Sequence, residues 1–368
     1  MYDLIIRNAR QIIGDVVDIA LQAGKIVKVA PKIAETAKKE ISLKDNQYLS
    51  AGWIDDHVHC FEEMTLYYDY PDEIGYKKGV TTVIDAGTTG AENIGHFYEL
   101  AKAAKTNVYA LVNISKFGIV EQDELADLTK VQSELVAKAI SDYPNFILGI
   151  KARMSKTVVG DNGIKPLRMA KEIQKDNGNL PMMVHIGSNP PELRDILQVM
   201  EAGDVLTHCF NGKANGILDQ ATDQIKDFVW EAYRRGIVFD IGHGTDSFNF
   251  HVAEVALKEG LKCASISTDI YIRNRKNGPV FDMATTLAKL HEVGYSWSEI
   301  IEKITRVPAQ NFHLKTKGQI AAGFDGDFTI FEIRNDKQEL IDSNGHKRIT
   351  DEVIVPVQTI VGGIIYDN

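Results

Sequence analysis

The hydrophobic positions of the central part of the chain alternate between short β-rich runs and helical patterns. Eight runs have the composition of buried strands, at 53–58, 80–85, 107–113, 146–151, 181–186, 203–207, 236–241 and 264–268. Strands that alternate with helices indicate parallel βα units, and eight units are the number that closes a (β/α)₈ barrel. A later helix is marked by a capping box of Ser296 and Glu299. We therefore predict a TIM barrel over residues 51–312.

The two ends of the chain have a different pattern. Short apolar runs that resemble strands occur at 3–6, 16–21, 25–29, 326–331, 353–357 and 360–365. Gly14 and Gly24 mark turns between the first three runs. We predict that residues 1–50 and 313–368 together form one small, discontinuous β-sandwich, with the barrel inserted between its halves. The expected fold class is thus α/β, a barrel with an accessory sandwich.

Composition and charge narrow the range of functions. The net charge of −10 argues against a nucleic-acid partner, because phosphate binding needs a basic surface. No apolar run reaches the length of a membrane span, and the N-terminus lacks the pattern of a signal peptide. The three widely spaced cysteines, Cys60, Cys209 and Cys263, favour reduced thiols in a cytoplasmic protein over a disulfide framework.

The end of the first predicted strand carries residues that metals favour. Alternate side chains of a strand share a face, so Asp55, His57 and His59 are expected to point together into the barrel mouth. Two imidazoles at this spacing can converge on one cation, with Asp55 as an acceptor that orients a ring. A His-x-His pair standing alone is more often structural than metal-binding.

Lys151 ends the fourth predicted strand after an apolar run. A buried lysine is costly unless it is neutralised or paired, and desolvation lowers its pKa. A neutral amine can react with CO₂ to give a carbamate, an anionic ligand with two oxygens that can bridge two metals. If Lys151 is considered without the other strand ends, the more common explanation is a lysine at the barrel edge that pairs with a carboxylate.

Three further strand ends carry similar residues. His185 and His208 close the fifth and sixth apolar runs, and Asp269 closes the eighth. Each has an ordinary structural explanation, as a buried histidine or as a loop or N-cap aspartate. Together, however, four imidazoles, one lysine and one aspartate fall at the rim where barrel enzymes place their catalytic groups. The combined pattern predicts a metal site at the mouth of the barrel.

These residues resemble the amidohydrolase superfamily, in particular its dihydroorotase-like, binuclear branch. The shared motifs are 52–59 with its two histidines, the strand ends at Lys151, His185, His208 and Asp269, and the segments 79–85, 305–309 and 323–327. The resemblance extends over essentially the whole chain, including the split sandwich. It implies a metal-dependent hydrolase with two divalent cations in the barrel mouth.

The resemblance also implies a role for each ligand. His57 and His59 would bind the more buried metal, His185 and His208 the more exposed one, and carboxylated Lys151 (N6-carboxylysine) would bridge them. Asp269 would contact the first metal and shuttle a proton from the metal-activated hydroxide to the leaving group. Imidazole and carboxylate ligands suit zinc, and nickel, cobalt and manganese remain compatible with them.

Departures from the family pattern narrow the substrate. Dihydroorotases usually carry an arginine two residues after the second histidine, where this chain has Phe61. The chain is more similar to a group associated with hydrolysis of acetyl esters or amides of small carboxylic acids. In that context Arg153 is a candidate for binding a substrate carboxylate, with a rim salt bridge as the alternative. His243, between two glycines, is a candidate donor to the substrate or the oxyanion.

We therefore predict a binuclear deacetylase or esterase that acts on a small acylated acid. A cyclic-amide hydrolase of the dihydroorotase or hydantoinase kind and an adenine-type deaminase are the alternatives. An inactive scaffold is a more remote one, since such relatives lose ligands that this chain retains. The expected partner is a small molecule that carries a carboxylate, and homo-oligomer formation is left open.

Overall fold

The computed structural model describes residues 1–368. Its strands are Tyr2–Ala9 (β1), Val17–Gln22 (β2), Lys25–Ala30 (β3), Ala37–Ser42 (β4), Gln47–Ala51 (β5), Trp53–Val58 (β6), Val80–Gly90 (β7), Asn107–Asn113 (β8), Ile147–Met154 (β9), Met182–Ile186 (β10), Val205–Thr207 (β11), Leu218–Asp219 (β12), Gln224–Ile225 (β13), Val238–Phe239 (β14), Phe328–Arg334 (β15), Gln338–Ile341 (β16), Lys347–Thr350 (β17), Val353–Val361 (β18) and Ile364–Asp367 (β19).

Its α-helices are Pro71–Ile74 (α1), Ile94–Ala101 (α2), Ser133–Asp142 (α3), Lys156–Val159 (α4), Lys165–Asp176 (α5), Leu193–Val199 (α6), Asp227–Arg234 (α7), Phe250–Glu259 (α8), Ile272–Asn277 (α9), Met283–Val293 (α10), Trp297–Lys303 (α11) and Arg306–Asn311 (α12). Two 3₁₀ helices lie at Tyr76–Lys78 and Leu128–Lys130. The capping box predicted for Ser296 and Glu299 is confirmed at the start of α11. None of the helices combines the length and apolar character needed to cross a membrane.

The centre of the molecule is the predicted barrel. Seven parallel strands follow one another in the order β14-β11-β10-β9-β8-β7-β6. Helices alternate with these strands along the chain, as the hydrophobic pattern predicted. Because the strands are parallel, their carboxyl ends meet at one face of the barrel, and side chains from distant parts of the sequence come together there.

The eighth side of the barrel is closed by an irregular segment, residues 264–270. It pairs with the end of β14 through Asp240 and Ser265, and with β6 through Val58 and Ile270. The prediction of a regular strand at 264–268 is wrong in this respect, and β14 is shorter than the predicted 236–241. A positive φ angle of 46° at Gly242, just after the Asp240 pairing, and one of 50° at Asp269, just before the Ile270 pairing, turn the backbone out of the extended conformation.

The two chain ends form the predicted sandwich. One sheet, β3-β2-β1-β4, comes from the N-terminal segment, and the other, β19-β18-β15-β5, combines both ends. The link is the antiparallel pairing of β5 with β15, in which Leu49 lies opposite Ile330. Residues of both segments then share one apolar cluster, which includes Leu4, Ile6 and Phe328.

Some strands differ from their predicted extents. The runs at 353–357 and 360–365 were predicted as two strands, but β18 is continuous through residue 361 and a Gly362-Gly363 turn leads into β19. Six strands were not predicted, namely β4, β5, β12, β13, β16 and β17. β4, β16 and β17 carry mostly polar, solvent-exposed residues, so they lack the apolar alternation on which the prediction depends.

Candidate active site

The carboxyl ends of the barrel strands bring His57, His59 and Asp269 together. The two histidines are two residues apart at the end of β6, so their side chains point to the same side. One carboxylate oxygen of Asp269 lies 3.4 Å from Nε2 of His57 and 3.1 Å from Nε2 of His59. One potential ligand atom from each residue lies within 4.8 Å of the others. Three donors this close can hold one divalent cation.

Lys151 joins this group from β9. Its Nζ lies 3.2 Å from Nε2 of His57, and the residue is buried. A Cβ at Gly87 would lie 2.5 Å from the Cβ of Lys151, so the glycine makes room for the lysine stem. Burial lowers the pKa of Lys151 to about 7, and much of the amine is therefore neutral near neutral pH. A neutral amine is the form that the predicted carboxylation requires.

His185 and His208 form a second pair at the ends of β10 and β11. Nδ1 of His185 lies 3.1 Å from Nε2 of His208, and the ring centroids are 4.6 Å apart. The ring of His208 is also 5.2 Å from that of His57, which joins the two groups. The structure thus brings all six side chains predicted to bind metal to one end of the barrel.

The orientation of His57 is fixed from behind by Thr207 and Asp240. The Thr207 hydroxyl donates a hydrogen bond to Oδ2 of Asp240 over 2.8 Å. Nδ1 of His57 lies 2.8 Å from the same hydroxyl oxygen. Because the hydroxyl proton is already used, Nδ1–H of His57 is the donor to Thr207. Nε2 of His57 therefore keeps its lone pair for the site.

His59 and His208 are held in the same tautomer by other partners. Thr88 donates its hydroxyl proton to Asp85 over 2.8 Å and accepts Nδ1–H of His59 over 2.7 Å. Nδ1–H of His208 donates to the carbonyl oxygen of Gly242 over 2.6 Å. Three imidazoles consequently present Nε2, with its lone pair free to bind a metal, to the centre of the cluster.

The donor set fits divalent cations. Burial lowers the pKa of His57 and His185 well below the ordinary value and that of His208 to about 4. Neutral imidazoles are the metal-binding form of histidine. Several imidazole nitrogens together with a carboxylate match the ligand preferences of zinc and similar divalent metals.

A cavity of about 250 Å³ lies at this cluster. Asp269, His59 and His185 line it, together with Arg153 and several uncharged polar or aromatic residues. The segment after β14 contributes one wall, formed by Thr245, Asp246 and Ser247. The cavity has the size of a small organic molecule, and three of its lining residues belong to the predicted metal cluster.

Arg153 lines the cavity but is also paired. Its Nη1 lies 3.1 Å and 3.0 Å from the two carboxylate oxygens of Glu124, which is fully buried. The salt bridge that the sequence left as the alternative for Arg153 is therefore present. Both contacts use Nη1, so the pair does not occupy Nε or Nη2. Glu124 has no counterpart in the sequence prediction, because it lies in a loop without a recognisable motif.

His243 does not reach the cavity, in contrast to the prediction that it contacts the substrate. Its Nδ1 donates to the carbonyl oxygen of Gly244 over 2.9 Å, and its Nε2 lies 2.9 Å from Nζ of the buried Lys289. Its ring stacks on Phe248 with a centroid distance of 4.8 Å. Both ring nitrogens are thus engaged behind the site, and the flanking glycines allow the chain to turn there.

Asp55 also differs from its predicted role. Its carboxylate accepts hydrogen bonds from the backbone N–H of Thr268 over 3.0 Å and from the Thr268 hydroxyl over 2.5 Å. It therefore does not orient an imidazole ring. It ties β6 to the segment that carries Asp269, and the hydroxyls of Thr88 and Thr207 orient the rings in its place.

Two tyrosines of the cavity were not anticipated from the sequence. The Tyr67 ring lies 5.6 Å from that of His59 and 5.0 Å from that of Tyr271. The Tyr67 hydroxyl donates to Gln122 over 3.0 Å, and Tyr271 contacts the Thr245 hydroxyl over 2.9 Å. Both tyrosines lie in loops that follow ligand-bearing strand ends. Their position after these strand ends was the one feature of the sequence that could have indicated a place in the cavity. Aromatic residues are too common in loops for that feature to identify cavity residues.

Comparison with known proteins gives extensive matches. The family model described as "Deacetylase-like composite domain" matches residues 320–367. A deacetylase of Enterococcus faecalis is 67% identical over 367 residues, which is 100% of both chains. A deacetylase of Agrobacterium fabrum is 33% identical and covers 92% of this chain and 84% of its own length.

Solved structures agree on the fold. A crystal structure described as an adenine deaminase has 66% identity and a TM-score of 0.99 over the full length of both chains. One described as a dihydroorotase has 31% identity and a TM-score of 0.91, and it covers 100% of this chain and 99% of its own. The barrel and its accessory sandwich, together with the similarity to these proteins, identify the chain as a hydrolase. The chain belongs to the amidohydrolase superfamily, in the same family as the Enterococcus faecalis deacetylase.

Proposed function

We propose that the protein is a binuclear metal-dependent deacetylase that cleaves an acetyl ester or amide of a small carboxylic acid. The observation that carries the proposal is that one cavity contains both the Asp269 carboxylate, in contact with His57 and His59, and the guanidinium of Arg153. The Asp269 carboxylate can take part in the hydrolysis, and the Arg153 guanidinium can bind a substrate carboxylate. The names of the two deacetylase relatives support this choice.

Two divalent cations, which we propose to be zinc, would be held by the six clustered side chains. His57, His59 and Asp269 would hold one, His185 and His208 the other, and Lys151 as N6-carboxylysine would bind both. When bound, such cations lower the pKa of water and polarise a carbonyl group. The burial of Lys151 and its pKa of about 7 support its proposed role as the carboxylated ligand.

Asp269 would move the proton in the reaction. The Asp269 side chain is 18% exposed at the cavity, whereas those of His57 and His59 are almost fully buried. A carboxylate in this position can accept the proton of the attacking water and pass it to the oxygen or nitrogen of the leaving group. The buried imidazoles contribute orientation and exclude bulk water from the reacting atoms.

Arg153 would bind the substrate carboxylate with the donors that Glu124 leaves free. A planar guanidinium can form two parallel hydrogen bonds to a carboxylate, which gives both affinity and orientation. The Glu124 pair holds Arg153 in place in a buried position. We also propose a cytoplasmic location, supported by three buried cysteines that are all free.

The alternative activities come from the solved structures described as an adenine deaminase and a dihydroorotase. Phe61, which stands where dihydroorotases usually carry an arginine, packs on Phe97 with a centroid distance of 5.4 Å and is buried. It therefore offers no group for a dihydroorotate carboxylate.

A substrate panel with metal-loaded protein tests the proposal. The panel should contain N-acetyl and O-acetyl carboxylic acids, neutral acetyl esters, dihydroorotate, a hydantoin and adenine. We expect the highest kcat/KM for an acetylated acid. Faster turnover of dihydroorotate, hydantoin or adenine than of every acetylated acid would contradict the deacetylase assignment. Less than one metal equivalent per chain after growth with added zinc would instead support an inactive scaffold.

A further inference from the structure

The hairpin of β16 and β17 lies apart from both sheets of the sandwich. Its two strands pair only with each other, and its turn, residues 342–346, contacts the barrel segment 243–250 about a hundred residues earlier in the chain. That segment follows β14 and forms one wall of the cavity through Thr245, Asp246 and Ser247. The turn therefore reaches the back of a wall of the candidate active site.

Ser343 makes the central contacts between the turn and this segment. Its backbone N–H donates to the carbonyl oxygen of Phe248 over 3.0 Å, and its hydroxyl accepts the N–H of Phe248 over 3.2 Å. The same hydroxyl donates to the carbonyl oxygen of Gly244 over 3.1 Å. One side chain thus holds both ends of the stretch that lines the cavity, since Thr245–Ser247 lie between Gly244 and Phe248.

Asp342 strengthens the same contact and shapes the turn. Its side chain is fully buried, and one carboxylate oxygen accepts the N–H of Phe250 over 3.0 Å. The other oxygen accepts the backbone N–H groups of Asn344 and His346, each over 2.8 Å. These internal bonds fix the turn conformation, so the Ser343 hydroxyl has a defined position before it meets the barrel segment.

The held segment also touches the proposed proton carrier. Gly244 packs so closely on Asp269 that a Cβ there would lie 2.6 Å from Oδ2 of the aspartate. The Gly244 N–H donates to the carbonyl oxygen of Thr268, next to Asp269. A shift of Gly244 would therefore displace both the cavity wall and Asp269.

We infer that Ser343 is a positioning residue of the active site, which acts through Gly244 and Phe248 to hold the wall formed by Thr245–Ser247. This inference rests on the proposed function for its kinetic part, since the cavity must bind substrate. The role differs from general stabilisation, because the contacts converge on the wall segment. The loss of Ser343 should therefore alter the wall more than the fold.

The test compares Ser343→Ala with Ser343→Thr, which keeps the hydroxyl, and with Glu339→Ala, a control on an exposed residue of the same hairpin. Amide hydrogen exchange is measured on the full-length chain over residues 243–250. Removing one hydrogen-bonding hydroxyl should speed exchange of that segment by about fivefold in Ser343→Ala. Thr should restore slow exchange, and Glu339→Ala should match the parent protein.

Kinetics on an acetylated acid supply the second measurement. We expect the KM of Ser343→Ala to rise about threefold to tenfold, with unchanged metal content and with rescue by Thr, because small displacements of a binding wall weaken substrate positioning. Unchanged exchange and KM in Ser343→Ala would overturn the inference, as would equal effects in Glu339→Ala. If no acetylated acid is turned over, the proposed function fails and the exchange data alone decide the positioning role.

Discussion

The Thr88 hydroxyl accepts a hydrogen bond from Nδ1 of His59 over 2.7 Å, and this contact decides which ring nitrogen faces the other candidate metal ligands. Thr88→Val removes the acceptor, so His59 loses both its fixed tautomer and its orientation. We expect metal affinity to fall by about 10- to 100-fold, the usual effect of losing such a supporting contact. Competition with a chromogenic chelator measures the affinity.

The neighbouring Thr89 provides a matched control for this experiment. It is equally buried, but its hydroxyl has no hydrogen-bond partner. Thr89→Val makes the same chemical change one residue away and should leave metal affinity within error of the parent protein. Equal losses in the two variants would show that the effect comes from packing in β7 and that the hydroxyl contact to His59 is unimportant.

Gly244→Ala should impair catalysis through a steric clash with Asp269. The new Cβ would lie 2.6 Å from Oδ2 of the aspartate, so either the backbone at residue 244 or the Asp269 side chain must move. We expect kcat to fall by at least about tenfold, because small displacements of reacting groups are costly. Gly163→Ala is the control, since its φ of 54° is close to the 58° of Gly244 and no atom lies within 4 Å of its Cβ position.

Both glycine variants carry the strain of an alanine with positive φ, about 1–2 kcal/mol. Their melting temperatures should therefore fall, whereas only Gly244→Ala should lose activity. Steady-state kinetics together with thermal unfolding separate the two effects. A normal kcat in Gly244→Ala would mean that Asp269 can relocate without consequence, contrary to the role proposed for it.

Lys151→Ala should reduce the bound metal below two equivalents per chain. It removes the side chain proposed to bind both cations, and a short carboxylic acid such as propionate should partly restore metal and activity if a carbamate is the ligand. Lys289→Ala is a suitable control, because Lys289 is also a buried lysine but contacts His243 and the Pro279 carbonyl. Metal analysis should show full occupancy in the control. An absence of rescue by any short acid would count against the carbamate.

Asp269→Asn should keep much of the metal but lower kcat by about 10²- to 10⁴-fold, the usual contribution of a general acid–base group. The amide retains a carbonyl oxygen near His57 and His59 yet cannot carry the proton. Turnover at saturating substrate, measured beside the metal content of the same sample, checks the prediction. Unchanged turnover would remove Asp269 from its proposed role.

Arg153→Lys should raise the KM for an acetylated acid by about tenfold and leave that for a neutral acetyl ester unchanged. Lysine keeps the positive charge facing Glu124 but loses the planar fork that binds a carboxylate with two hydrogen bonds. The ratio of the two KM values isolates the carboxylate contact. Equal changes for both substrates would assign Arg153 to the structural pair with Glu124 alone.

The barrel was predictable because its strands are buried on both faces. Such strands appear in the sequence as short, nearly continuous apolar runs. The convergence of the six candidate metal ligands was predictable for a related reason. Polar residues such as Lys151 and His208 stand out where such a run ends, and parallel strands bring those ends together. The closing segment 264–270 was less predictable, since its isolated pairings at Ser265 and Ile270 depend on neighbours distant in sequence.

The supporting contacts could not be inferred from local pattern. Asp55 shares a strand with His57, yet it binds Thr268 more than two hundred residues away, and Thr207 and Asp240 serve His57 in its place. His243 has a favourable local context for a residue that donates to the substrate or the oxyanion, but its ring faces Lys289. In each case the partner is chosen by tertiary packing, which the spacing of residues along the chain does not record.

The pairing of β5 with β15 has a consequence for synthesis on the ribosome. Residue 49 emerges long before its partner at residue 330, so β5 must wait while the whole barrel is made. Until then the edge of β5 that pairs with β15 has no partner strand, so its free N–H and C=O groups are open to chaperones or to other nascent chains. A chain that stops before residue 328 lacks β15 altogether, so this edge of β5 stays unpaired and available for association with other chains.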